Sequence, residues 1–286
     1  MKLIRYGEAG KEKPGVIIND NYFDVSSYLN DFDEAFFADD GLNFLKEIIT
    51  DAKLQTIEKN VRLGSPVARP SKIVCIGLNY SDHAAESKMQ VPAEPVIFFK
   101  STTALCGPND ELIIPRNSKK TDWEVELAFV ISKKTSYVSE QEAMDHVAGY
   151  VLHNDYSERE FQIERNGQWV KGKSCDTFAP LGPFLATKDE IADIDDMRLW
   201  LKVNGNIMQD GNTKNMIFKI PVLVSYISQF MSLLPGDIVS TGTPAGVGMG
   251  QKPNPVYIKP GDEIELGIDG LGSSMQIAVA YSNVQI

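Results

Sequence analysis

The run Trp123-Glu124-Val125-Glu126-Leu127-Ala128-Phe129-Val130-Ile131 reads as a β-strand and carries two glutamates two residues apart. Side chains alternate faces along a strand, so Glu124 and Glu126 point the same way. Two carboxylates on one face of an apolar run repel each other and are costly to desolvate. A divalent cation between them removes both costs. The alternative is an edge strand with its glutamate face in water.

The rest of the chain is rich in short strand patterns. Lys72–Gly77, Val96–Phe99, Glu111–Ile114, Ala148–Asn154, Leu199–Val203, Asp237–Ser240, Glu263–Ile268 and Met275–Tyr281 are all dense in Val, Ile and aromatic residues. Helical patterns are fewer: Tyr80–Ser87, Ser139–His146 (with a Ser139/Glu142 capping-box spacing), Ser157–Arg165 and Met216–Met231. Regular strand–helix–strand alternation is missing, which argues against nucleotide-binding or (β/α)8 architectures. The expected class is α+β, mainly β: a rolled or sandwiched β core with peripheral helices. At the N-terminus, Leu3–Tyr6, Gly15–Ile18 and Tyr22–Val25 read as strands and Gly41–Thr50 as a helix. The segment Gly64-Ser65-Pro66-Val67-Ala68-Arg69-Pro70 reads as a linker. The expected division is a small α+β unit over residues 1–68 and a larger domain over residues 69–286.

A net charge of −11 over 286 residues argues against nucleic acid or anionic membrane as partners. The longest apolar-rich stretch, Ile217–Leu234, is broken by Lys219, Pro221, two serines and Gln229, so it does not read as a bilayer span. The first residues lack the apolar core of a signal peptide, and three cysteines form no disulfide framework. A cytoplasmic protein is the expectation.

Several residues could carry chemistry. Asp155 follows the strand Val151-Leu152-His153-Asn154, where sites are often built. It could add a third oxygen ligand to Glu124 and Glu126, or cap the helix expected after it. Three carboxylates suit Mg2+ or Mn2+, whereas the three scattered histidines, His83, His146 and His153, do not make a zinc site. Lys173, in Gly172-Lys173-Ser174, could bind a substrate anion or an oxyanion, or be a solvated loop lysine. Cys175 has no histidine near it in sequence, so a buried inert thiol is expected. His83 and Glu86, three apart on a short helix, could form a general-base pair on a mobile lid, or a surface ion pair. The glycine-rich segment Ser240–Gly248 could let backbone and the Thr243 hydroxyl approach a ligand, or simply turn the chain.

Taken in order, Gly77–Glu86, Glu94–Lys100, Asp122-Trp123-Glu124-Val125-Glu126, Asp155 with Arg159 and Gln162, Gly172-Lys173-Ser174 and Thr241-Gly242-Thr243-Pro244 resemble the fumarylacetoacetate hydrolase superfamily. The resemblance runs from about Ser71 to the C-terminus. Gly167–Thr177 and the N-terminal unit look most like a bacterial subgroup labelled 2,4-diketo-3-deoxy-L-fuconate (or -rhamnonate) hydrolase or ureidoglycolate lyase. The resemblance implies a β-sandwich roll with a small N-terminal α+β domain, paired as a homodimer. It implies Glu124, Glu126 and Asp155 as ligands of Mg2+ or Mn2+. It implies Lys173, Thr243, Arg159 and Gln162 as substrate contacts, with Lys100 near the site, and a water-activating dyad of His83 and Glu86.

The activity so implied is metal-dependent hydrolysis of a C–C bond in a 2,4-diketo acid, with Lys173 and the metal stabilising a departing enolate. The alternatives keep the site and change the chemistry: ureidoglycolate lysis, 2-keto acid decarboxylation or isomerisation. A further alternative is an acidic ligand-binding protein with no turnover.

Overall fold

A computed structural model describes residues 1–51, 53–86 and 90–282. Two packed sheets form its core. The larger runs from the N-terminal strands Gln55–Ile57, Asn21–Asp24, Lys13–Ile18 and Lys2–Tyr6 through Leu185–Thr187, Val147–Asn154, Val125–Ile131 and Ile238–Ser240 to Ile73–Gly77 and Val96–Lys100. The smaller has the order Asn206–Asn212, Arg198–Val203, Glu263–Ile268, Gly272–Ala280, Leu112–Ile114. The Val125–Ile131 strand lies against Arg198–Val203 and Glu263–Ile268, which makes the two sheets a sandwich. The mainly β, α+β expectation agrees with this architecture.

The centre of the large sheet is the antiparallel pair Val125–Ile131 and Val147–Asn154, every residue of which is buried. Strands covered on both faces must be apolar throughout, and these are, except where they approach the site. Their register sets Glu126 opposite His153 and Val125 opposite Asn154. Ile238–Ser240 flanks the pair and runs parallel to Ile73–Gly77, so four strand ends collect the site residues.

The N-terminal strands extend the same sheet: Lys2 pairs with Ala186 and Leu3 with Leu185. The segment read as a linker is packed, with Ser65, Val67 and Ala68 buried and the Ala68 amide bonded to the Phe32 carbonyl at 2.9 Å. The helix Gly41–Asp51 buries Leu45 and Ile48, as its spacing requires.

Three helices differ from expectation. Over 139–146 the capping-box side chains do meet, Ser139 Oγ donating to Glu142 at 2.7 Å, but only Ala143–His146 closes as a 3-10 turn before the next strand takes the chain. Over 157–165, Ser157–Glu158 instead pair with Thr121–Asp122, and a π-helical turn, Glu160–Glu164, follows. Single π turns are frequent at functional sites. The helix expected from Met216 starts at Ile220, because Asn79 captures the Ile217 and Phe218 amides at 2.8 Å each and Pro221 suits a first turn. Ser81–Glu86 is helical; Ser87, included in the expected helix, lies outside the described residues. No helix among the described residues is long and apolar enough to cross a membrane.

Candidate active site and metal centre

Glu124 precedes the Val125–Ile131 strand and Asp155 follows Val147–Asn154, so the two strand ends bring the acids together. The Asp155 amide donates to the Glu124 carbonyl at 2.9 Å, and the Glu124 amide to Asn154 Oδ1 at 3.0 Å. Carboxylate oxygens of Glu124, Glu126 and Asp155 all lie within 4.8 Å of one another. Among the described residues no other group of three metal-ligating side chains comes together. All three are buried, Glu126 at 1% exposure. This excludes a strand with its glutamates in water. Nor does Asp155 cap a helix, because its carboxylate is engaged elsewhere.

Buried acids need counter-charges, and three cations supply them. Lys173 Nζ donates to Glu124 Oε2 at 2.7 Å and to Asp155 Oδ2 at 2.8 Å. Lys100 Nζ donates to Asp155 Oδ1 at 2.5 Å and to the Tyr156 carbonyl at 2.9 Å. Arg159 Nε donates to Asp122 Oδ2 at 2.8 Å and Nη1 to Gln162 Oε1 at 3.0 Å. Arg159 Nη2 lies 2.8 Å from Glu124 Oε1 as an ion pair, off the hydrogen-bonding direction. Burial alone would raise the Asp155 carboxyl, but Lys100 and Lys173 outweigh it and hold the group well below the usual carboxylate range. Burial likewise opposes the Lys173 ammonium, and Asp155 and Glu124 outweigh that opposition, keeping it charged.

Lys173 ends a single helical turn, Val170–Lys173, where a loop was expected. The turn packs so closely that a Cβ on Gly172 would stand 2.4 Å from the Glu158 carbonyl of the short strand and 2.6 Å from Gln162 Cβ of the π segment. That contact holds the lysine stem over Phe98, with Nζ 4.9 Å from the ring centroid.

Among the described residues Glu126 has no cationic hydrogen-bond partner. Its Oε2 accepts from Ser240 Oγ at 2.5 Å and from the Gly242 amide at 3.0 Å. Gly242 has φ +96°, a conformation that favours glycine, and this aims its N–H at the carboxylate. Among the described residues Oε1 takes no hydrogen bond. Burial, then the charges of Asp155 and Glu124, push the Glu126 carboxyl well above its ordinary range, with Lys173 and Ser240 only partly offsetting them. A buried carboxylate with surplus negative charge and one uncommitted oxygen is what a hard cation relieves, so the donor set fits Mg2+ or Mn2+.

Glu124 and Glu126 line a cavity of about 540 Å³ together with Arg159, Gln162, Lys173, Thr243, His83 and Glu86. Lys100 and Asp155 stand behind this lining. His83 and Glu86 line the same cavity from the Ser81–Glu86 helix, Nδ1 to Oε2 at 3.3 Å. The Glu86 carboxylate also accepts the Gly246 amide, at 3.1 and 3.2 Å. The His83 hydrogen bond lowers the Glu86 carboxyl despite partial burial, so Glu86 stays ionised. Thr243 Oγ1 donates to the Val125 carbonyl at 2.9 Å and accepts from Gln209 Nε2 at 2.8 Å. Its single proton is thus used within the protein. Gln209, Ser240 and the carboxylate of Asp122 are parts of the site that sequence reasoning did not single out. Gln209 Oε1 accepts the Val125 amide at 2.9 Å, from a polar strand with no recognisable pattern.

Cys175 is only half-buried, but burial pushes its thiol up to about 11. Iodoacetamide at neutral pH is therefore expected to leave turnover unchanged, and Cys175→Ser to behave as wild type. Rapid inactivation that the serine variant escapes would show a reactive thiol instead.

A family model, fumarylacetoacetate (FAA) hydrolase C-terminal, matches residues 72–277. The chain belongs to the fumarylacetoacetate hydrolase family. Similar proteins in and around this family cover nearly its whole length. A Burkholderia ambifaria protein named "Putative hydrolase" is 51% identical over 277 residues, 96% of this chain and 98% of that protein. The solved 5-carboxymethyl-2-hydroxymuconate delta-isomerase of Mycobacterium smegmatis is 30% identical with TM-score 0.79, covering 99% of this chain and 100% of that one. Maleylpyruvate hydrolase of Sphingobium sp. SYK-6, solved with manganese(II) and pyruvate, is 28% identical with TM-score 0.81 at the same coverage. The fumarylacetoacetate hydrolase fold thus serves hydrolases and isomerases among these neighbours.

Proposed function

We propose that this protein is a Mg2+- or Mn2+-dependent hydrolase that cleaves a C–C bond in a 2,4-diketo acid of the acylpyruvate class. One observation carries the reading. Three buried carboxylates converge at a cavity that a His83–Glu86 pair also lines, with Lys173 between two of the acids. Glu124, Glu126 and Asp155 would hold the cation. When bound, a divalent cation polarises the keto oxygens and lowers the energy of the enolate charge that cleavage develops.

The chain's own residues account for the rest. Arg159 and Gln162, locked to each other and to Asp122, face the substrate carboxylate. Glu86 holds His83, which takes a proton from water as hydroxide attacks the carbonyl distal to the carboxylate. The bond between that carbonyl carbon and the methylene breaks. The acyl half leaves as a carboxylic acid, and the other half as the enolate of pyruvate or a homologue, which is then protonated. Lys173 donates to the oxygen on which that charge grows, so its contribution is largest near the transition state. Lys100 holds Asp155 in place without reaching the substrate.

The test is a turnover screen of acylpyruvates and 2,4-diketo-3-deoxy sugar acids. Pyruvate or its homologue should appear, vanish with EDTA, and return with Mn2+ or Mg2+. CO2, urea or an isomer as the product would favour decarboxylation, ureidoglycolate lysis or isomerisation. Turnover indifferent to EDTA would overturn the metal role.

A further inference from the structure

Three adjacent strands align a chain of hydrogen bonds beneath Glu126. His153 is its direct partner across the antiparallel pair, and Ser240 ends the strand on the other side. We infer that His153 and Ser240 are positioning residues that fix Glu126 as a cation ligand by occupying one of its two oxygens. The inference rests on the metal reading above.

Proton accounting sets the direction of the chain. Ser240 Oγ has one proton and two acceptor sites. It lies 2.5 Å from Glu126 Oε2 and 2.7 Å from His153 Nδ1. If the serine proton went to His153, the ring's own proton would sit on Nε2. Among the described residues that buried atom has no hydrogen-bond partner, so an N–H there would have no acceptor. The economical arrangement is therefore His153 Nδ1–H to Ser240 Oγ and Ser240 Oγ–H to Glu126. It puts a lone pair, not an N–H, at the orphan Nε2 position.

The Gly242 amide gives Glu126 Oε2 a second donor. Two donors on one oxygen leave Oε1 as the oxygen offered to a cation. They also fix the rotation of the carboxylate. Hydrogen-bond partners of metal-binding carboxylates typically contribute about 10–100-fold to metal affinity.

The experiment is calorimetric titration of the full-length protein with Mn2+ alone, alongside thermal melts. Ser240→Ala should bind Mn2+ about 10–100-fold more weakly than wild type. His153→Leu should weaken binding in the same direction. His153→Asn, whose amide can donate from near the Nδ1 position, should stay close to wild type. The double variant Ser240→Ala/His153→Leu should bind no more weakly than Ser240→Ala, because the histidine acts only through the serine. A purely structural role predicts lower melting temperatures with Mn2+ affinity untouched. Unchanged affinity in Ser240→Ala, or losses that multiply in the double variant, would overturn the inference while leaving the metal reading intact. Wild-type protein that binds no Mn2+ would overturn both. The Ser240 variants decide the matter if His153→Leu fails to fold.

Discussion

Lys173→Met is expected to lower kcat/KM by about 100-fold or more and to destabilise the metal-free protein by about 3–5 kcal/mol. The two effects have different origins and separate on adding metal. The ammonium is 2% exposed and bridges Glu124 and Asp155. Methionine keeps the length and apolar stem, including the contact with Phe98, so the loss is that of charge and donors rather than packing. Without it, two buried carboxylates face each other and Glu126 with only Lys100 and Arg159 to balance them. Stability falls for that reason, and Mn2+ should restore much of it by supplying positive charge to the same oxygens. Turnover should not return, because no cation held by the acids replaces an N–H directed at the substrate oxygen. Denaturant melts with and without Mn2+, beside steady-state rates, read both. A variant with wild-type turnover would remove Lys173 from the mechanism.

The same lysine shows where sequence reading ends. Glu124 and Glu126 were legible because period two alone puts them on one face, and Asp155 because it stands at a strand end. Lys173 sits 49 positions from Glu124, in a Gly-Lys-Ser context that fits a solvated loop equally well. Its context left an anion-binding role and a solvated loop both open, and the resemblance favoured the first. Gln209 and Ser240 are less legible still. Each is an ordinary polar residue whose meaning lies in partners 84 and 114 positions away. The misread helices fail for a related reason. Ser157–Arg165 has helical composition, but Arg159 and Glu158 spend their side chains on Asp122 and on Ser118 and Lys120, and those tertiary bonds draw the backbone into a short strand pair and a π turn. Local propensity loses where side chains have long-range work to do. The overall class survived because the long apolar strands have no competing demand on their residues.

His83→Ala should cut kcat for hydrolysis by about 100–10,000-fold while leaving Mn2+ affinity within a factor of two or so of wild type. The reason is geometric. His83 bonds to Glu86, and Glu86 to the Gly246 amide, so among the described contacts the pair shares no hydrogen bond or ion pair with the three acids. A general base is lost with no ligand or counter-ion disturbed. Glu86→Gln gives the graded control. It keeps an oxygen for Gly246 but gives up the charge that supports His83 as it gains a proton, so its rate should fall between those of wild type and His83→Ala. Product analysis then ties the pair to water. Isomerisation and decarboxylation need no attacking nucleophile, so an enzyme of either kind would keep turning over without His83. If His83→Ala retains full turnover on a substrate that wild type converts to pyruvate, the proton passes to some other group and the dyad is an ion pair on the cavity wall. If hydrolysis collapses while metal binding holds, the base and the cation are separable parts of one site, as their separate hydrogen-bond partners require.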